Sequence, residues 1–261
     1  MKILITNDDG IDSVGIRVLL AEALKRGHEC YVSAPERQCS ANSQHISLYA
    51  PLFTRKVNTG AEHCVSYAVS GTPADCVRVS RDLFGTDIDV CISGINDGEN
   101  AGAAVYYSGT VSAAREAAMQ GLPAVAVSAM PRACENARLE AARAAVSCAE
   151  MLVRDRVVLP PMGVMNLNFP ASEPESWGET RSSTLSRSCF HDVYLQREVP
   201  KTGEKYFWVG PGYETDEPEE GSDWYWLRRG CPTWTVLGAF QDRNGEYAGK
   251  MQELLHKTCK P

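Results

Sequence analysis

Two adjacent carboxylates, Asp8 and Asp9, follow a short apolar run from Ile3 to Thr6 and precede Gly10. Paired acids at a strand end repel each other, and a divalent cation offsets that cost directly. Successive strand side chains point to opposite faces, so both acids reach one ion only where the backbone has begun to turn, which Gly10 permits. The same Asn7-Asp8-Asp9-Gly10 segment also reads as an Asx-type turn capping the helix behind it, and by itself it does not separate the two readings. Two more strand ends carry hard oxygen donors. Ser40-Ala41-Asn42-Ser43 follows a second strand and Pro35, and Ser93 to Asn100, which contains Asn96, follows a buried run from Asp89 to Ser93. Each alone is an ordinary polar loop or turn. Together with Asp8 and Asp9 they offer carboxylate, hydroxyl and amide oxygens, a set suited to Mg2+, Mn2+ or Ca2+ rather than to a thiolate-type zinc site.

A fourth segment, Tyr106-Tyr107-Ser108-Gly109-Thr110, opens a helix. Ser108 and Thr110 can cap it, and a helix N-terminus also attracts phosphate through free N–H groups and the helix dipole. The two uses are compatible, and Gly109 would let an oxyanion approach the backbone closely. Other chemistries lack their signatures. There is no G-x-G-x-x-G after the first strand, no phosphate-binding G-x-x-x-x-G-K-[ST] and no G-x-S-x-G elbow. The five histidines show no metal spacing, although His45 lies close enough to the Ser40 loop to stay in view.

These residues need elements to hold them. Helical spacing runs from about Val14 to Lys25 and is stopped by Gly27; a second strand spans Cys30 to Ala34. A β-α-β opening without a hairpin turn implies a right-handed parallel crossover. Thr72-Pro73-Ala74-Asp75 reads as a helix start, Thr110 to Gln120 as a helix, Leu122 to Ser128 as a strand and Glu135 to Val153 as an alanine-rich helix. Such alternation predicts a doubly wound, mostly parallel α/β sheet covered on both faces. After about Pro170 the composition changes, dividing the chain into a catalytic core, 1–170, and an irregular β-rich extension, 171–261, suited to oligomer contacts or to covering a site. Tyr206 to Val209, Trp224 to Trp226 and Thr233 to Leu237 read as its strands.

The 261 residues carry a formal net charge of −7, which argues against a nucleic-acid polymer surface. None of the ten cysteines forms a C-x-x-C pair, and Cys30, Cys64, Cys76 and Cys91 read as small buried hydrophobes. The N-terminus has no signal-peptide architecture and no apolar run reaches membrane-spanning length, so a cytoplasmic protein without a membrane partner is expected.

The motifs ILITNDDG, APERQCSANSQHISL, SGTPADCV, DVCISGINDGENAG, VYYSGTVSAAREAAMQGLPAVAVS and MNLNFP follow one another over the first 170 residues. In that order they resemble the SurE family of survival-protein nucleotidases. The resemblance implies a Rossmann-like fold, hydrolysis of nucleoside 5′- and 3′-monophosphates, and one divalent cation, Mg2+ or Mn2+, per subunit. Carried over motif by motif, Asp8, Asp9, Ser40 and Asn96 are the implied metal ligands, with the two aspartates catalytic. Ser108, Gly109 and Thr110, with Asn7 and Asn100 nearby, are the implied phosphate site. A homodimer or homotetramer is implied as well. The chain departs from the family pattern at Ala41, where glycine is usual, at Glu99, where proline is common, at Cys39, and at Gly230 to Trp234. Two other readings stand beside this one: a nucleotide-binding sensor without catalysis, and a phospho-aspartate phosphatase. The second is disfavoured because those enzymes separate their two aspartates by one residue.

Overall fold

The computed structural model describes residues 1–188 and 190–238. In chain order the elements are β1 (Lys2–Thr6), α1 (Val14–Lys25), β2 (Glu29–Pro35), β3 (Thr54–Val57), β4 (Cys64–Val69), α2 (Pro73–Phe84), β5 (Val90–Asp97), α3 (Gly109–Met119), β6 (Ala124–Ala129), α4 (Glu135–Arg154), β7 (Val164–Phe169), β8 (Arg181–Ser182), β9 (Phe190–Glu198), β10 (Lys205–Thr215), α5 (Asp223–Leu227) and β11 (Thr233–Leu237). A 3₁₀ turn, Gly102–Tyr106, leads into α3.

Nine strands form one sheet in the order β3-β4-β2-β1-β5-β6-β7-β11-β8. Pairings from β4 through β7 are parallel, while β3 on β4 and β11 on β7 are antiparallel. The central strands read as unbroken apolar runs because both faces are covered: β6 and β7 are buried at every position. Helices α1 and α4 pack together on one face, and α2 and α3 on the other. Two apolar layers result, one containing Ile3, Ile5, Leu19 and Val146, the other Leu4, Val77, Val111 and Ala117. The doubly wound α/β architecture expected from the sequence is therefore the observed one.

The direction in which strands are added reverses between the parallel pair β1 and β5: the N-terminal elements build outward from β1 through β2, the later ones from β5 through β6 and β7. The carboxyl ends of β1 and β5 are where an open α/β sheet receives a ligand. A Cβ on Gly15, in the first turn of α1, would lie 1.9 Å from the Ile95 carbonyl oxygen, so only glycine lets this helix sit against the end of β5.

The C-terminal third divides. Strands β8 and β11 complete the main sheet, β11 pairing along Thr233 to Leu237 with Asn168 to Val164. Strands β9 and β10 form a separate antiparallel hairpin. The expected strand from Trp224 to Trp226 is instead helix α5, whose first turn is capped by Ser222 Oγ accepting from the Tyr225 N–H at 3.3 Å. The cysteines are free among the described residues, with Cys30, Cys76 and Cys91 buried as read and Cys64 only partly so. No helix among the described residues is long and apolar enough to cross a membrane.

Candidate active site

At the carboxyl edge of the sheet lies a cleft of about 390 Å³ lined by Asp8, Ser40, Ala41, Asn96, Asp97, Asn100, Ala103, Ala104, Tyr107, Ser108 and Asp192. Three loops separated widely in sequence thus meet at one place, as the three donor-bearing strand ends suggested.

The turn after β1 is held from within. Asn7 is fully buried, its amide oxygen accepting from the Gly10 N–H at 3.2 Å while its nitrogen donates to the Gly10 carbonyl at 3.0 Å and to Ser13 Oγ at 2.7 Å. Asn7 is therefore spent on shaping the turn. Ser13 also caps α1, so the Asx-turn reading is realised by Asn7 and Ser13 and not by the two aspartates.

Asp8 is buried against the start of α3. Its carboxylate accepts hydrogen bonds from Thr110 Oγ1 and from the backbone N–H groups of Asp8 and Thr110. Burial pushes its carboxyl up to about 6, the Thr110 hydrogen bond opposing that rise and the neighbouring Asp9 adding to it. A Cβ on Gly109 would lie 2.7 Å from the Asp8 Cβ. The close approach that this glycine permits is thus that of the Asp8 side chain itself. Ser108 caps α3 by accepting from the Val111 N–H at 3.0 Å, which leaves its own O–H to donate towards the cleft it lines.

Asp9 does not line the cleft. It faces the end of β5, accepting from the Asp97 N–H at 3.1 Å, and burial raises its carboxyl too. Asn96 donates its amide to the Gly98 carbonyl at 2.7 Å, so its side-chain oxygen is the atom left for a ligand. Asn100 is fixed on every side: its N–H donates to Asn168 Oδ1 at 2.8 Å, its side chain to Ser128 Oγ at 2.9 Å, and its carbonyl accepts from Asn166 and Asn168 at 2.8 and 3.1 Å. Asn166 and Asn168, which sequence reasoning gave no role, hold the loop that follows β5. Their signal was available as two amides spaced i, i+2 in an otherwise apolar buried strand, hence on one face.

The Ser40 loop is tied down at several points. The Cys39 N–H donates to the Asp8 carbonyl at 2.7 Å and the Ser43 hydroxyl to the Tyr106 carbonyl at 2.7 Å. Gln44 Nε2 donates to the buried Glu116 of α3 at 3.0 Å, and Glu116 also receives Arg78 at 3.0 Å. Ala41 lies at φ 58°, in the left-handed region, which accounts physically for glycine being usual there. His45 does not line the cleft.

The donor set fits a hard cation. Among the described residues no three His, Cys, Asp or Glu side chains cluster as ligands. What is present is a buried carboxylate whose charge burial disfavours, a second raised carboxylate beside it, and a free amide oxygen and a hydroxyl facing the same space, an all-oxygen arrangement.

The family model described as survival protein SurE matches residues 3–192. The chain belongs to the SurE family. It is 36% identical over 264 residues to the 5′-nucleotidase SurE of Kosmotoga olearia, covering 98% of each chain. It is 39% identical over 239 residues to the 5′-nucleotidase SurE of Xanthomonas campestris pv. campestris strain B100, covering 88% of this chain and 86% of that one. Among solved structures, the SurE protein from Aquifex aeolicus superposes with a TM-score of 0.78 at 28% identity, covering 97% of this chain and 99% of that one. The agreement runs beyond the N-terminal motifs into the C-terminal third.

Proposed function

We propose that this SurE protein is a divalent-metal-dependent phosphomonoesterase that hydrolyses nucleoside 5′-monophosphates, and 3′-monophosphates as well, to nucleoside and phosphate. The observation that carries the reading is the meeting of Asp8, Ser40 and Asn96 with the N-terminus of α3 around one cleft. Relatives that span nearly the whole chain are named 5′-nucleotidases, which supports the substrate class.

Asp8, Asp9, Ser40 and Asn96 would hold one Mg2+ or Mn2+, Asp9 from the β5 side. When bound, the cation supplies charge neutralisation and polarises a water or a phosphoryl oxygen. The protein's own contribution is positioning. The Ser108 hydroxyl lines the cleft at the N-terminus of α3 with the positive end of the helix dipole behind it, while the Thr110 and Val111 N–H groups are already taken by Asp8 and Ser108. Thr110 and Asn7 work one step back: Thr110 fixes the Asp8 carboxylate and Asn7 fixes the turn that presents it. Asn100, locked by Asn166, Asn168 and Ser128, keeps the floor of the cleft in place without rearrangement on binding. The apolar and aromatic hairpin of β9 and β10 supports a homodimer or homotetramer as the acting species.

Phosphate release from a panel of nucleoside monophosphates tests the reading, with EDTA and with added Mg2+ or Mn2+. Release is expected to require metal and to fall by at least about a hundredfold in Asp8→Asn while the circular dichroism spectrum and melting transition persist. Near-normal turnover in folded Asp8→Asn sinks the scheme. Tight nucleotide binding without release under any metal favours the sensor reading instead.

A further inference from the structure

The cleft contains two carboxylates that the proposed chemistry leaves unused, Asp97, which lies 3.7 Å from Arg138, and Asp192. Asp192 lines it from β9, whereas the other lining residues come from the sheet edge, the Ser40 loop and the segment leading into α3. The segment leading into β9 is held against the cleft wall. Asp223 accepts from the Gly102 N–H at 3.0 Å through one oxygen and from the Ser186 N–H at 2.9 Å through the other. The Ala103 N–H donates to the Ser188 carbonyl at 3.2 Å. A Cβ on Gly102 would come within 2.8 Å of Trp224 and 3.1 Å of that same Ser188 carbonyl, so the contact between these segments is close. The segment that precedes this strand, at Ser186 and Ser188, is therefore anchored to the Gly102–Tyr106 turn, whose Ala103 and Ala104 line the cleft. Next to Asp192, His191 Nε2 lies 3.1 Å from Asp216 Oδ1 and holds the start of the hairpin.

A carboxylate so placed repels a phosphoryl group, so it does not serve the reacting end of the substrate. With the phosphoryl group held at Ser108 and beside the cation that Asp8 would hold, the rest of the substrate has Ala41, Asp97, Ala103, Ala104, Tyr107 and Asp192 left to meet. The small and aromatic side chains fit an apolar ring face. An ionised carboxylate accepts two hydrogen bonds side by side and has no donor to offer, which matches two neighbouring hydroxyls on one sugar. Acidic side chains hold ribose hydroxyls in this way in dinucleotide folds. We propose that Asp192 is a specificity-determining residue that accepts the 2′- and 3′-hydroxyls of the ribose of a nucleoside 5′-monophosphate. The assignment rests on the nucleotidase reading and adds to it the part of the substrate that the extension recognises.

The test compares AMP with 2′-deoxy-AMP and 2′,3′-dideoxy-AMP in the full chain, in Asp192→Ala and in Asp192→Asn, with metal saturating. In the unaltered chain kcat/KM is expected to fall as hydroxyls are removed. In Asp192→Ala the preference for AMP over the dideoxy nucleotide is expected to shrink by about tenfold, carried by KM rather than kcat, and Asp192→Asn, which keeps one acceptor oxygen, should retain part of it. Equal losses on all three substrates, an unchanged preference in Asp192→Ala, or a loss found with GMP but not AMP would overturn the assignment, the last by pointing to a base edge. A normal rate in the unaltered chain with no dependence on the ribose hydroxyls overturns it as well and leaves the nucleotidase reading standing. No turnover of any nucleotide by the folded, unaltered chain overturns both.

Discussion

Three donors hold the carboxylate of Asp8 before any ligand arrives: the Thr110 hydroxyl, the Thr110 N–H and its own backbone N–H. Gly109 makes this possible, because a Cβ there would lie 2.7 Å from the Asp8 Cβ and 2.9 Å from its Oδ2. Gly109→Ala is accordingly expected to displace Asp8 and cut turnover at least tenfold while costing about 1–3 kcal/mol of stability, read from kinetics and urea melts of the same preparation. A variant with normal kcat would show that the Asp8 rotamer is not set by this contact. Glu99 is the opposite case. One of its oxygens is buried with no hydrogen-bond partner, and burial raises its carboxyl above the ordinary 4.5. A raised acid destabilises the folded state wherever it is ionised, and this penalty disappears as pH falls through its folded value. Glu99→Gln is expected to be more stable than the parent by roughly 1 kcal/mol at pH 7 to 8, with the difference closing as the pH approaches 4.5. A gap that widens in acid would refute that sign.

At the scale of elements, the sequence declared the alternating core and concealed the pieces whose partners are remote. The helix predicted from Val14 to Lys25 has those bounds, because apolar spacing, the Ser13 cap and Gly27 all agree. Strand β5 runs on to Asp97, past the expected end at Ser93, so Asn96 is a strand residue rather than a loop one. Its pairing with Ser128 across a break in register fixes that length, and no local pattern encodes it. The aromatic run Trp224-Tyr225-Trp226 favours a strand by propensity. Ser222 and Asp223 start a helix instead, and the Asp223 carboxylate must face Gly102 and Ser186, a long-range demand invisible in a window of ten residues. Of the expected site residues, Asp8, Ser40, Asn96, Asn100 and Ser108 line one cleft. The indirect positions of Asn7, Asp9 and Thr110 follow from the side-chain partners each meets in the fold, which residue type and spacing do not encode. The element that best links fold to site is α2. Its capping acid, Asp75, accepts from the Thr72 N–H at 3.0 Å, and from the Ser47 N–H at 2.9 Å and the Ser47 hydroxyl at 2.7 Å, so one carboxylate caps the helix and pins the far end of the Ser40 loop. Burial pushes this carboxyl up, but those donors together outweigh it and hold it below 3.8. Its stabilisation is thus complete at neutral pH and is lost as pH falls through that lowered value. Asp75→Ala is expected to cost about 1–2 kcal/mol at pH 7, the loss shrinking in acid, as thermal melts across pH would report.

At the scale of the molecule, the hairpin of β9 and β10 is the part that a single chain leaves unfinished. Val193, Tyr194, Leu195, Tyr206, Phe207, Trp208 and Val209 are all exposed, Trp208 at 63% and Phe207 at 58%. The pairing sets Trp208 opposite Leu195 and Phe207 opposite Gln196, so by strand alternation apolar side chains stand on both faces of the hairpin. A two-stranded hairpin is marginal in water by itself, and a patch of this size on a monomer marks a surface that something covers. Covering one face by folding back onto the sheet would leave the other wet, whereas insertion between copies of the same chain covers both. These exposed apolar side chains support the proposed assembly of copies of this chain through the hairpin. Phe207→Glu and Trp208→Glu each place a charge on a different face, and each is expected to lower the mass measured by light scattering at micromolar concentration. The double variant should approach the 28.5 kDa of a single chain. Because Asp192 enters the cleft from the base of the same hairpin, the dissociated variants should also show a raised KM for AMP, linking assembly to substrate binding. A double variant that keeps the parent's mass would assign these side chains to another partner.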